Sequence, residues 1–114
     1  MIEIGNEGLK KARLIINQGC SLNFSVVHKD ANNAVVDHSG SHGYIALQRG
    51  KSTYKFANAV TCGAENITVN ITPSETRSIP PNDYNWDFIV EMQGDETVRL
   101  IYGEASVIDT YALD

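Results

Sequence analysis

The 114-residue chain predicts an all-β fold, an antiparallel β-sandwich of immunoglobulin-like or jelly-roll-like type with little or no helix. Three observations predict it. Short stretches alternate apolar and polar residues with a period of two. Clusters of Gly, Pro, Asn, Asp and Ser punctuate them roughly every eight to twelve residues. No stretch carries the 3.6-residue periodicity of a crossover helix, so a parallel sheet wrapped in helices is excluded. About seven to nine short strands in one domain of residues 1–114 is the architecture this pattern supports, with a small barrel as the alternative closure.

Taken in order, Leu14 to Asn17 is a short apolar run stopped by Gln18-Gly19, and Ser21 to His28 alternates with Leu22, Phe24 and Val26 on one face. The stretch KDANNAVVDHSGSHG has the composition of a loop, with Ala34 to Asp37 as a brief strand inside it. Tyr44 to Gln48 forms a strand that turns at Arg49-Gly50-Lys51, and Tyr54 and Phe56 mark a short return. ANAVTCGAE reads as a connection or an irregular edge. Ile67, Val69 and Ile71 alternate with Thr68 and Asn70 as a half-buried strand, which ends at Pro73 because proline cannot donate to a ladder. PSETRSIPPND is then a long connection in which Ser74-Glu75-Thr76 forms one helical turn.

The strongest pattern is PPNDYNWDFIVEMQGDETVRLIYGEASV. Tyr84, Trp86, Phe88, Val90 and Met92 share one parity, and Gln93 to Glu96 separates them from a second alternating run as a hairpin loop would. Val98, Leu100 and Tyr102 are expected on the same face as Trp86, Phe88 and Val90, each cross-strand pair contributing about 0.2–1 kcal/mol. Gly103 then permits a kink or bulge before Ala105, Val107 and Asp109 continue a terminal strand.

Composition excludes several function classes. The apolar fraction of 42% is enough for a core without metal or disulfide staples. A net charge of −5, with 9 Lys and Arg scattered along the chain, gives no basic face to follow a phosphate backbone, so direct nucleic-acid binding is not expected. The N-terminus has acids before its bases and no secretory apolar core. No window approaches the roughly 18–20 apolar residues of a spanning helix, so no membrane partner is expected and synthesis is assigned to the cytoplasm. Cys20 and Cys62 lack the spacing of a redox or zinc motif and are read as buried free thiols, although they would be able to meet across a sheet.

Candidate chemistry concentrates in VVDHSGSHG, where Asp37, His38, Ser39 and His42 crowd one loop. Neighbours on a single loop do not converge as a nucleophile, base and orienting acid must, and two imidazoles without a further ligand make a poor metal site. The competing structural reading has Asp37 and Ser39 bonded within a turn and Gly40 at positive φ. Asp87 and Glu91 resemble a glycosidase pair in type but sit where acids keep the outer face of a sheet wet. Trp86, amid alternating apolar residues, is read as core. No enzymatic activity, cofactor or metal is therefore expected.

Apolar residues outside the core pattern remain at both ends. Ile2, Ile4, Leu9, Tyr111 and Leu113 are the candidate interface residues, and residues 1–11 and 110–114 are read as extended contact arms.

Several motifs resemble those of small β-sandwich structural proteins of tailed-phage virions. They are Val36-Asp37-His38-Ser39-Gly40, Ile79-Pro80 with Tyr84-Asn85-Trp86-Asp87, and Leu100-Ile101-Tyr102-Gly103 with Val107, spanning roughly residues 14–109. The pattern is similar to the N-terminal module of lactococcal-type baseplate upper proteins and to head-decoration, neck and tail proteins. One departure is Asn82-Asp83, where the family has a glycine before the tyrosine. The resemblance implies a virion structural protein, made in the host cytoplasm and located in the particle. Because the chain stops at Asp114, a free-standing head decoration or cement protein is expected, clamping the major capsid protein or other virion proteins as a homo-oligomer, a dimer or trimer. A tail, neck or baseplate adaptor is the alternative, and a carbohydrate-binding module a distant third.

Overall fold

The computed structural model describes residues 2–4, 10–94 and 96–110. Its strands are β1 (Ile2–Ile4), β2 (Lys10–Lys11), β3 (Leu14–Asn17), β4 (Leu22–His28), β5 (His42–Arg49), β6 (Ser52–Phe56), β7 (Val60–Cys62), β8 (Ile67–Ile71), β9 (Asn82–Glu91) and β10 (Thr97–Ile108). They form two sheets packed as a sandwich. The first has the order β1-β4-β8-β7, and the second runs β10-β9-β5-β6 with both β2 and β3 paired to β10. Most ladders are antiparallel. The N-terminal segment departs from the expectation, since β1 lies parallel to β4, and β2 and β3 lie parallel to β10. Parallel neighbours arise here because the chain crosses between sheets instead of turning back within one.

Leu14 and Ile16 of β3 point inward while Ile15 and Asn17 point outward, as the alternation requires. Ile67, Val69 and Ile71 of β8 are buried, as are Tyr84, Trp86, Phe88 and Val90 of β9. The inner faces of the two sheets meet in one cluster that also includes Ile4, Val26, Ile45, Leu47 and Ile79. Each fully buried large side chain there contributes about 1.5–3 kcal/mol relative to exposure.

The helical turn forms as α1 (Pro73–Arg77). Thr72 caps it, accepting from the Glu75 N–H, while the Glu75 side chain accepts from the Thr72 N–H. Proline sits in the first turn, where its missing donor is harmless. The Thr76 hydroxyl donates to the Cys20 carbonyl and accepts from the Gly19 N–H, so α1 is tied to the β3–β4 turn.

Three local expectations are corrected. Ala34 to Asp37 contributes only a single bridge, Val35 with Lys29. ANAVTCGAE, expected as a connection or an irregular edge, supplies the regular edge strand β7, and Gly43 of β5 lies against Val60 and Cys62. In the β9–β10 hairpin the register shifts between Arg99 and Ile101, earlier than the expected bulge at Gly103. Leu100 and Ile101 are consequently both buried, Ile101 faces Phe88, and Tyr102 falls opposite Asp87 on the outer face instead of joining the core.

Gly103 has a different task. A Cβ built there would lie 2.2 Å from the Ala12 carbonyl oxygen, so only glycine lets the chain between β2 and β3 pass this close to β10. That same carbonyl accepts from Trp86 Nε1 at 2.9 Å. The contact satisfies the one polar atom of an otherwise apolar core residue.

Candidate functional site

The loop between β4 and β5 holds the residues that chemistry singled out. Asp30 accepts from the N–H groups of Asn32 and Ala34, and Asp37 accepts from the Ser39 N–H at 2.8 Å. Gly40 takes φ +78°. These are the turn bonds and positive φ of the structural reading, and the Ser39 hydrogen bonds hold the exposed Asp37 carboxyl below its ordinary pKa. His42 begins β5 opposite Glu91 on the exposed face. Asp37, Ser39 and His42 do not converge.

His38 behaves differently. It is 1% exposed, its ring stacks on His28 of β4 with centroids 5.2 Å apart, and His28 Nδ1 shares a hydrogen bond with His38 Nε2 at 3.0 Å. Its main chain is fixed as well, the N–H donating to the Gly63 carbonyl and the C=O accepting from the Ser41 N–H. The pair therefore pins the loop across the end of the first sheet. His38 Nδ1 is the buried side-chain atom without a hydrogen-bond partner among the described residues. Burial lowers the pKa of both rings. For His28 the Asp30 charge opposes the shift, and for His38 the neighbouring His28 adds to it while Asp37 opposes it. The sequence signal for this pairing was the parity of His28, which continues the Leu22, Phe24, Val26 face of β4. Nothing in the sequence marked His38 as its partner.

The rest of the candidate chemistry is dispersed. Trp86 is 3% exposed and belongs to the core. Asp87 accepts a hydrogen bond from Arg99, whose guanidinium also lies over the Tyr102 ring, and Glu91 accepts from the Tyr44 hydroxyl at 3.4 Å. Asp87 and Glu91 are four residues apart on one strand, about 13 Å at the strand rise, which is wider than the separations glycosidases use. Cys20 and Cys62 are free and half-buried, less enclosed than expected. Burial raises the pKa of the Cys62 thiol, which favours its protonated form. No group of three or more His, Cys, Asp or Glu with metal-ligating geometry occurs among the described residues. Nor is any described helix long and apolar enough to cross a membrane.

Two adjoining concavities of about 450 Å³ each lie on the outer face of the second sheet and share Gln48, Asn85 and Glu104. Along one wall Arg13 donates to the Ser106 hydroxyl, which donates to Asp83, while Arg49 donates to the Asp83 carbonyl. Cations and anions alternate over this face, with no single-sign field and no aligned nucleophile and base.

Of the candidate interface residues, Ile4 is 1% exposed and packs within the chain's own core, and Ile2 is half-buried beside it in β1. Residues 2–4 and 10–11 are thus sheet strands where contact arms were expected. Leu9, Tyr111 and Leu113 lie outside the described residues.

No family model matches the sequence, and no curated protein does. Solved structures do match the fold. The N-terminal domain of phage TP901-1 ORF48 superposes with a TM-score of 0.54 and 12% identity, covering 94% of this chain and 95% of that one. A candidate glycoside hydrolase from Bacteroides vulgatus ATCC 8482 gives a TM-score of 0.52 and 8% identity over 85% of this chain. This chain spans only 16% of that protein. At these identities the likeness establishes a shared β-sandwich fold.

Proposed function

We propose that the chain is a non-enzymatic structural module of a tailed-phage particle, acting as an attachment domain on the tail or baseplate side. The observation that carries this is the end-to-end correspondence with a phage protein's N-terminal domain, which accounts for nearly all of both chains. The sequence motifs resembling the N-terminal module of baseplate upper proteins support the same station. A continuous core of buried apolar side chains and an outer face of mixed charges suit a subunit whose work is to hold position among neighbours. Its affinity then comes from repeated modest contacts within an assembly.

The head-decoration reading implied by the sequence resemblance draws on properties that an adaptor shares. Copy number separates the two. Quantitative mass spectrometry of gradient-purified particles is expected to find the chain at a small fraction of the major capsid protein. Near-stoichiometric copies would move the assignment to the shell, and absence from particles would overturn the structural role.

A further inference from the structure

Among the described residues, β3 pairs with β10 alone and so ends the second sheet beside β10. The N–H groups of Ala12 and Gln18 donate to the carbonyls of Tyr102 and Ile108 on β10. Even-numbered residues of this segment therefore direct their peptide groups at β10, and by strand alternation Arg13, Ile15 and Asn17 direct theirs outward. The Asn17 carbonyl is occupied by the Cys20 N–H. The Ile15 peptide groups face the side of β3 on which no described strand pairs.

Natural edges are protected by charge, proline, bulges or brevity. On the opposite edge of the sheet, β6 carries Lys55, whose ammonium sits over the Tyr44 ring at 4.1 Å. In the first sheet the edges β1 and β7 have three residues each. Leu14-Ile15-Ile16-Asn17 has no charge, proline or glycine. Its outward side chain Ile15 is 51% exposed and is a diagonal neighbour of Ile108, which is 46% exposed. These are two of the three large apolar side chains exposed among the described residues, the third being Val35 on the distant loop.

We infer that β3 is a homotypic docking edge, on which a second copy of this chain adds its own β3 antiparallel about a two-fold axis through Ile15. The register follows from the backbone. Ile15 opposes Ile15 of the second copy, the two exchanging both N–H···O bonds, and each Asn17 N–H reaches the Arg13 carbonyl across the axis. About four inter-chain hydrogen bonds result. This register keeps the outer face outer in both copies, gathers Ile15 and Ile108 of each into one apolar cluster, and sets Arg13 against Asn17 so that no like charges meet. The second sheets of the two copies become one continuous sheet. The pairing is a property of this edge and holds whether or not the chain serves in a virion.

Sedimentation velocity of the full chain across a wide concentration range tests it. The wild-type protein is expected to shift from monomer to dimer as concentration rises. Ile15→Pro removes an outward N–H that the strand's own ladder does not use, and proline is tolerated at such a position. Ile15→Lys brings two cations together at the axis. Each is expected to weaken association at least about tenfold, whereas Val35→Lys leaves it unchanged. Circular dichroism establishes that the variants fold, and if Ile15→Pro does not, Ile15→Lys decides. A wild-type chain that stays monomeric throughout, or a dimer that both Ile15 changes leave intact, overturns the proposal.

Discussion

The β9–β10 hairpin and the loop from Lys29 to Ser41 solve the same problem, fixing a chain segment in place, by opposite chemistry. The hairpin does it with area. Phe88, Val90, Leu100 and Ile101 are fully buried, and the polar atoms of Tyr84 and Trp86 find the Pro80 and Ala12 carbonyls at 2.6 and 2.9 Å. The loop does it with one buried imidazole stacked on another, and leaves a nitrogen without a partner. Apolar burial is insensitive to pH and has no geometry to miss. A buried polar pair holds only in one protonation state and one arrangement.

The largest effect is expected where area is removed. Phe88→Ala should destabilise the domain by about 3–5 kcal/mol, read as a lower urea midpoint at unchanged slope. A loss below about 1 kcal/mol would show that the hairpin is not the dominant core element. Gly103→Ala comes next, because the added methyl meets the Ala12 carbonyl oxygen. A cost of about 1–3 kcal/mol is expected, with faster amide exchange confined to the β2 segment and its neighbours. Uniform loss of protection would mean that the close approach has no local role.

The smallest effect, and the sharpest for the comparison, is pH-dependent. Both His28 and His38 have pKa values lowered from 6.5 in the folded chain. The unfolded chain therefore binds more protons as pH falls through that value. The pair's contribution is full above the unfolded pKa and is lost as pH drops toward the lowered folded values. Urea midpoints should decline from pH 7.5 to pH 5, with exchange rising first in residues 29–41. In the double variant His28→Leu, His38→Phe that decline should largely vanish. Persistence of the full decline would assign it to other groups.

Legibility in the sequence follows the same division. Period-two alternation located β3, β4, β5, β8 and β9 within a residue or two, since the face a side chain takes in a strand is decided by its immediate neighbours. The helical turn was likewise expected at Ser74-Glu75-Thr76, inside the observed α1. The register shift at Leu100 was hidden, because Leu100-Ile101 reads equally well in either parity and only packing against Phe88 chooses. Hidden too were the parallel strands β1 and β2, which are two or three residues long and carry no period of their own.

The sequence by itself determined the all-β class, the hairpin and the core face of β9, because these depend on local pattern and on total apolar content. Tertiary structure alone decided that His38 meets His28, that Gly103 admits the Ala12 carbonyl, and that Ile15 of β3 lies beside Ile108 at the end of the second sheet among the described residues. Each of these joins residues from elements that must first be placed side by side. No periodicity along the chain encodes which strand ends a sheet.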